Sequence, residues 1–287
     1  ALLDTAWVEC DRVLRPGGII CINIGDATRT LKQDFQLYSN HSRILEHFRK
    51  HGYAVLPDIL WRKQTNAPNK FLGSGMLPVG AYVTYEHEYI LILRKGARRT
   101  FQSETEKKLR RESAFFWEER NVWFSDIWQD IKGTPQESLN TKTRERSGAF
   151  PFELAYRLIC MFSVKGDRVL DPFAGTGTTL AAALTAARNG IGVEIDPRLT
   201  ELAGQLLENL TDFAVSFTRK RLERHMAFVE QRTLNKGPLK HRNEHYGFPV
   251  MTRQEQTLLL NEVCGLQAEG DGKYRVSYHP GPGPCLA

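Results

Sequence analysis

The residues best equipped for chemistry lie in one run, Val169-Leu170-Asp171-Pro172-Phe173-Ala174-Gly175-Thr176-Gly177-Thr178-Thr179. It sets a carboxylate at the end of an apolar segment and follows it with a Gly-x-Gly turn, where the missing side chains let a ligand approach bare backbone. Glu194 follows in Glu194-Ile195-Asp196. An acidic residue at a second strand end can accept hydrogen bonds from ribose hydroxyls, and the separation suits a nucleoside held in a crevice at strand carboxyl ends. A dinucleotide site usually has a third glycine, where Leu180 stands here, and a carboxylate in the turn repels pyrophosphate while pairing with an ammonium group. The pattern favours S-adenosylmethionine over NAD. An ordinary tight turn with Asp171 capping a helix is the competing structural reading.

Positioning these groups takes a strand, a turn, a helix and a second strand. Residues 168–171 predict a short strand, the Ala-rich stretch 178–189 a helix and 190–195 the next strand, together a βαβ unit preceded by a helix over 152–163. Pro197 opens a further helix to about residue 210. Upstream, the chain opens inside a helix that Pro16-Gly17-Gly18 stops, and the apolar run 19–24, ended by Gly25-Asp26, has the pattern of a strand buried in a parallel sheet. A helix over 42–51 and strands over 53–61 and 85–93 follow. Residues 94–147 decay into charged and polar sequence interrupted by Phe115, Phe116, Trp117, Trp123, Phe124 and Trp128, which predict a small packed core of an inserted segment in preference to base stacking. The tail from residue 219 is helical in places and ends in a Pro/Gly-rich stretch, 279–284.

The whole run from Asp171 to Thr179, with Gly-Val-Glu-Ile-Asp at 192–196, resembles the cofactor motif of S-adenosylmethionine-dependent DNA amino-methyltransferases acting on cytosine N4 or adenine N6. Residues 12–26 are similar to the helix and strand that follow the catalytic motif in this family, and Ser147-Gly148-Ala149-Phe150-Pro151-Phe152-Glu153 resembles the segment that closes over the cofactor. The similarity spans residues 1 to about 210, in the permuted, β-class order with the catalytic half first. It implies an α/β, Rossmann-like methyltransferase fold, a mostly parallel sheet with helices on both faces, plus an inserted target-recognition segment and a helical C-terminal extension. The corresponding divisions are 1–93 for the catalytic-side half, 94–147 for target recognition, 148–210 for the cofactor half and 211–287 for a basic, partly helical extension.

The resemblance also implies the site. Asp171, Pro172, Phe173, Ala174, Gly175, Thr176, Gly177, Thr178, Glu194, Asp196 and Phe150 are the expected cofactor-binding residues. Asp26, at a strand end, either lines the same crevice or caps a turn. Lys63, Asn66, Asn69 and Lys70, in an amide-rich cationic loop, either meet phosphates and base edges or form a solvated loop. The family's catalytic tetrapeptide, Ser or Asp followed by Pro-Pro and an aromatic, occurs nowhere in the sequence. The opening inside a helix leads us to expect it upstream of Ala1, so no catalytic residue is assigned. The implied activity is site-specific methylation of an exocyclic amino group on a base flipped out of double-stranded DNA, in a restriction-modification setting. The segment Gly-Ala-Phe-Pro favours cytosine N4 over adenine N6. RNA methylation, or nucleic-acid binding with an inert cofactor pocket, are the other readings.

Composition is compatible with this. Hydrophobic residues make up 41% and charged residues 25% of the 287-residue chain, which excludes a disordered or fibrous protein. No apolar run reaches membrane-spanning length and the first residues do not read as a basic-then-apolar leader, so a cytoplasmic location is expected. The five cysteines and eight histidines show no ligand spacing, so no metal is expected. The net charge of +6 is concentrated in 94–112 and 219–244, each with eight Lys/Arg against three Glu; these are phosphate-contacting surfaces or solvated helix faces.

Overall fold

The computed structural model describes residues 2–32, 34–63, 72–132 and 150–279. The chain divides into two compact units, residues 1–100 with 125–135, and 101–124 with 136–287; the 94–147 stretch is thus shared between them.

The first unit comprises α1 (Leu2–Val13), β1 (Ile19–Ile24), a hairpin of β2 (Ala27–Leu31) and β3 (Asp34–Tyr38), α2 (Asn40–Lys50), β4 (Tyr53–Arg62), a short hairpin of β5 (Leu72–Gly73) and β6 (Ala81–Tyr82), β7 (His87–Lys95) and β8 (Ile127–Trp128). Four strands form one sheet in the order β1-β7-β4-β8. β7 is central and its run Ile90, Leu91, Ile92 and Leu93 is buried on both faces. Leu91 and Leu93 share a cluster with Ile22 of β1, Trp7 of α1, and Ile44 and Phe48 of α2, so both helices cover one face.

The expected mostly parallel sheet needs correcting here. β7 pairs antiparallel with both β1 and β4, and only the two-residue β8 runs parallel to β4. A parallel return would require a crossover, usually helical, whereas the connection from β4 to β7 carries the β5–β6 hairpin. β1 is accordingly less enclosed than a parallel-core strand, with Ile22 its one fully buried residue.

The second unit contains α3 (Glu104–Glu112), α4 (Trp117–Trp123), α5 (Phe152–Phe162), β9 (Arg168–Asp171), α6 (Thr178–Thr185), β10 (Asn189–Gly192), α7 (Pro197–Glu208), α8 (Leu210–Lys236), and two hairpins, β11 (His241–Arg242) with β12 (Pro249–Val250) and β13 (Val263–Gly270) with β14 (Lys273–Tyr278). β9 and β10 pair in parallel, Asp171 opposite Gly192, joined by α6 as expected of a βαβ unit. Ala182 and Ala183 of α6 are fully buried against Tyr156, Ile159 and Cys160 of α5, their small size allowing the helices close approach. The C-terminal extension is more β-rich than its sequence suggested: after α8 it forms two hairpins, the second anchored by Tyr278, whose hydroxyl donates to the Leu184 carbonyl at 2.6 Å. Residues 280–287 lie outside the described residues.

The aromatic cluster of 115–128 does not form a core of its own. Trp128 is buried in the first unit, on β8. Phe116 stacks on His225 of α8 at 3.8 Å, Trp117 on Phe228, and Trp123 joins the α5–α6 core. Phe116, Trp123 and Trp128 complete neighbouring cores, while Trp117 and Phe124 stay exposed; a seven-residue α4 is too short to enclose a core of its own.

Candidate functional site

Backbone amides organise the turn between β9 and α6. Asp171 ends β9; its Oδ1 accepts from the Phe173 amide at 2.9 Å and its Oδ2 from the Thr179 hydroxyl at 2.5 Å. The carboxylate is thereby held across the mouth of the turn by the chain on both sides of it. The parallel register continues past the strands, with the Val193 amide donating to the Asp171 carbonyl and the Ala174 amide to the Val193 carbonyl, both at 2.9 Å. Glu194 is therefore brought beside the glycine turn. Its Oε2 accepts from Gly175 N at 2.8 Å, and its Oε1 from Ile195 N and Asp196 N, both at 2.9 Å.

The two glycines do different work. Gly175 has φ +53°, and a Cβ there would meet nothing nearer than the Phe173 carbonyl at 3.9 Å, so it leaves open space over bare backbone. Gly177, at φ +84°, would place a Cβ 2.9 Å from the Cβ of Ala203, so it is required for α6 to pack on α7. The absent third glycine has a counterpart on the opposite strand. Leu180 fills the space over Gly190 and Gly192, where added Cβ atoms would approach its side chain to 3.0 and 2.9 Å. Close helix–strand packing is thus obtained by removing side chains from β10 in place of the helix.

Around the two carboxylates, apolar surface is uncovered: Phe173 is 54% and Ile195 96% exposed. Two acceptors flanked by open backbone and apolar surface can hold a molecule that combines an ammonium group, ribose hydroxyls and a flat heterocycle. Ala174 is buried, Pro172, Thr176 and Thr178 are half-buried, and Thr178 opens α6. Asp196 caps α7, accepting from Arg198 N at 3.0 Å, ahead of Pro197 at the first helical position. Phe150 packs, half-buried, against the α5–α6 core.

The remaining expected site residues belong to the first unit. The Asp26 side chain is fully buried; it accepts from the His41 amide at 3.1 Å and pairs with His41 Nδ1 at 2.7 Å, holding the start of α2. Asp26 thus braces the first turn of α2. Lys63 pairs with Glu88 and lies 5.0 Å over the Trp61 ring. Asn66, Asn69 and Lys70 lie outside the described residues. Within the basic stretches, Arg221 is buried and forked onto Glu119, with Nη2 to Oε2 at 2.7 Å and Nε to Oε1 at 2.5 Å, and is not available to phosphate.

Thr179 and the Gly190/Gly192 pair were missed as contributors. The glycines were legible in principle: Asn189-Gly190-Ile191-Gly192 bares one face of a strand at period two, facing whatever crosses it. Thr179 had no such signal, because its role depends on the turn bringing it back to Asp171.

Residues 2–205 match the DNA methylase family of N6/N4 amino-methyltransferases. The chain belongs to that family. It is 52% identical over 258 residues to the type II methyltransferase M.MthZI of Methanothermobacter thermautotrophicus, covering 90% of this chain and 71% of that protein. It is 55% identical over 197 residues to the type II methyltransferase M.MjaI of Methanocaldococcus jannaschii, covering 69% of this chain and 63% of that protein. Among solved structures, a protein of Thermus thermophilus described as a putative DNA modification methylase, in complex with S-adenosyl-L-methionine, shares 37% identity and a TM-score of 0.58, covering 71% of this chain and 73% of that one. The α/β, Rossmann-like methyltransferase fold expected from the sequence is therefore the fold of this DNA methylase. Among the described residues, no helix is long and apolar enough to cross a membrane.

Proposed function

We propose that this DNA methylase binds S-adenosylmethionine at the carboxyl ends of β9 and β10 and serves site-specific methylation of double-stranded DNA in a restriction-modification system. The carrying observation is the convergence of Asp171 and Glu194 on the open Gly175 turn beside exposed Phe173 and Ile195. In this reading Asp171 pairs with the amino-acid ammonium of the cofactor, Glu194 accepts from its ribose hydroxyls, and the two apolar side chains cover its adenine ring. When bound, the cofactor supplies an electrophilic methyl group.

The acceptor nitrogen is an exocyclic amine whose lone pair is delocalised into the base. Transfer requires acceptors that rehybridise it and hold it in line with the methyl group, and a base removed from the helical stack. The segment at 148–151, Gly-Ala-Phe-Pro, favours cytosine N4 as the target. Calorimetric titration of S-adenosylmethionine tests the site: Asp171→Ala weakens binding, and unchanged affinity removes the assignment. Mass spectrometry of nucleosides from methylated DNA tests the target: N4-methylcytosine is expected, and N6-methyladenine alone overturns that choice.

A further inference from the structure

Away from the glycine turn, the second unit has a small, partly open cavity of about 20 Å³ whose walls include Glu112, Tyr156, Lys165, Arg188 and Arg221. Such a space admits a single water-sized occupant. Lys165 is 8% exposed and its Nζ makes no hydrogen bond; its ion-pair contact is Glu112 Oε2, at 3.9 Å, and Glu112 also faces Lys108 at 3.8 Å. Arg188 is 5% exposed and donates to uncharged acceptors, the Ser163 hydroxyl at 3.1 Å, the Ser163 carbonyl at 2.8 Å and the Ala186 carbonyl. Arg221 is neutralised by its fork with Glu119. Of Lys165 and Arg188, only Lys165 faces a carboxylate, Glu112, which itself has a second, exposed partner, and an excess of positive charge is left in the cavity wall.

A buried charge without a counter-charge is strongly disfavoured unless it is neutralised or paired. Loss of the Lys165 proton is one escape, and burial together with repulsion from Arg188 and Arg221 pushes its pKa down to about 8. At neutral pH the ammonium form still predominates, so the positive charge persists. A second donor faces the same space: the Tyr156 hydroxyl accepts from Arg221 Nη1 at 2.9 Å, which leaves its own proton to give.

We propose that this cavity is a binding site for a small monatomic anion, chloride in ordinary solution, held by the Lys165 ammonium and the Tyr156 hydroxyl. The wall of the cavity brings together parts of the chain far apart in sequence. Glu112 ends α3, Lys165 lies between α5 and β9, and Arg221 belongs to α8; the bond from Lys165 N to Ser113 Oγ at 2.9 Å fastens the same junction. Occupancy would therefore stabilise the seating of α3 and the segment after it on the cofactor-binding half.

The test is thermal unfolding of the full chain at constant ionic strength, in chloride or bromide against gluconate, which is too large for the cavity. A rise of a few degrees in the midpoint is expected in either halide, following mass action, with the rise lost in Lys165→Met. Should that variant fail to fold, crystals of the parent protein soaked in bromide decide, with an anomalous peak beside Lys165 Nζ expected. A midpoint indifferent to halide, or a cavity without bromide, overturns the proposal and leaves the space to a water molecule.

Discussion

Replacing Glu194 with Gln separates the two roles that its position combines. The carboxylate accepts three backbone amides, Gly175 N on one oxygen at 2.8 Å and Ile195 N and Asp196 N on the other at 2.9 Å. A carboxamide of the same shape has one acceptor oxygen. If that oxygen faces Ile195 and Asp196, the NH₂ group confronts the Gly175 amide, donor against donor, and the reverse orientation leaves two amides unmatched. One orphaned donor in a half-buried turn costs about 1–3 kcal/mol, with the lower half of that range expected where water can enter. The midpoint of unfolding should fall by about 2–4 °C per kcal/mol. The cofactor loses more: hydrogen bonds from ribose to a charged acceptor are worth about 1.5–3 kcal/mol, so affinity for S-adenosylmethionine should fall about 10- to 100-fold. Calorimetric titration with a parallel thermal melt measures both. A lowered midpoint with cofactor affinity within about twofold of the parent would refute the reasoning, since Glu194 would then only brace the turn.

Further outcomes follow from the packing and the charges. Gly192→Ala should destabilise the fold by about 1–3 kcal/mol, read by chemical denaturation, because its Cβ would lie 2.9 Å from both Ala174 Cβ and Leu180 Cδ1. Arg221→Gln removes the charge paired with the half-buried Glu119 and should cost about 3 kcal/mol in the same assay, whereas neutralising Lys108, Arg110 and Arg111 on exposed positions of α3 should leave stability nearly intact. If those three contact phosphate, each loss lowers the log-log salt slope of DNA binding by about 0.9; an unchanged slope places DNA elsewhere. In gluconate buffer, the stability of the parent relative to Lys165→Met should rise with pH between about 8 and 10.5 and be flat below 8, since only within that window does the unfolded chain bind a proton that the folded chain has lost. A flat difference throughout would show that Lys165 is not desolvated.

The Gly-x-Gly turn was legible in the sequence because its geometry is local. Strand, Gly-x-Gly and helix follow one another within residues 168–185, and β9 occupies the residues its apolar pattern predicts. Glu194 was expected at the end of a strand over 190–195, whereas β10 spans Asn189–Gly192 and Glu194 lies just beyond it, held beside the turn by the Val193 and Ala174 amides. Sequence pattern located α2, α5, α6 and α7 to within a few residues for similar reasons, since periodicity and Pro/Gly punctuation are read from adjacent residues; α3, α4 and the start of α8 it did not mark. What it did not determine depends on contacts between distant segments. The direction of β7 is such a case, because a run buried on both faces reads alike in parallel and antiparallel sheets, and only pairing with β1 and β4 distinguishes them. The aromatic cluster could not reveal that Phe116 would stack on His225 or Trp123 join α5 and α6, since its partners lie far along the chain. Arg221 counted as one more surface charge until Glu119 met it, and Lys165 drew no notice at all. Residue type fixed where a carboxylate or a glycine could act; tertiary packing decided which charges water would reach, because burial is a property of the assembled cores and not of any stretch of sequence.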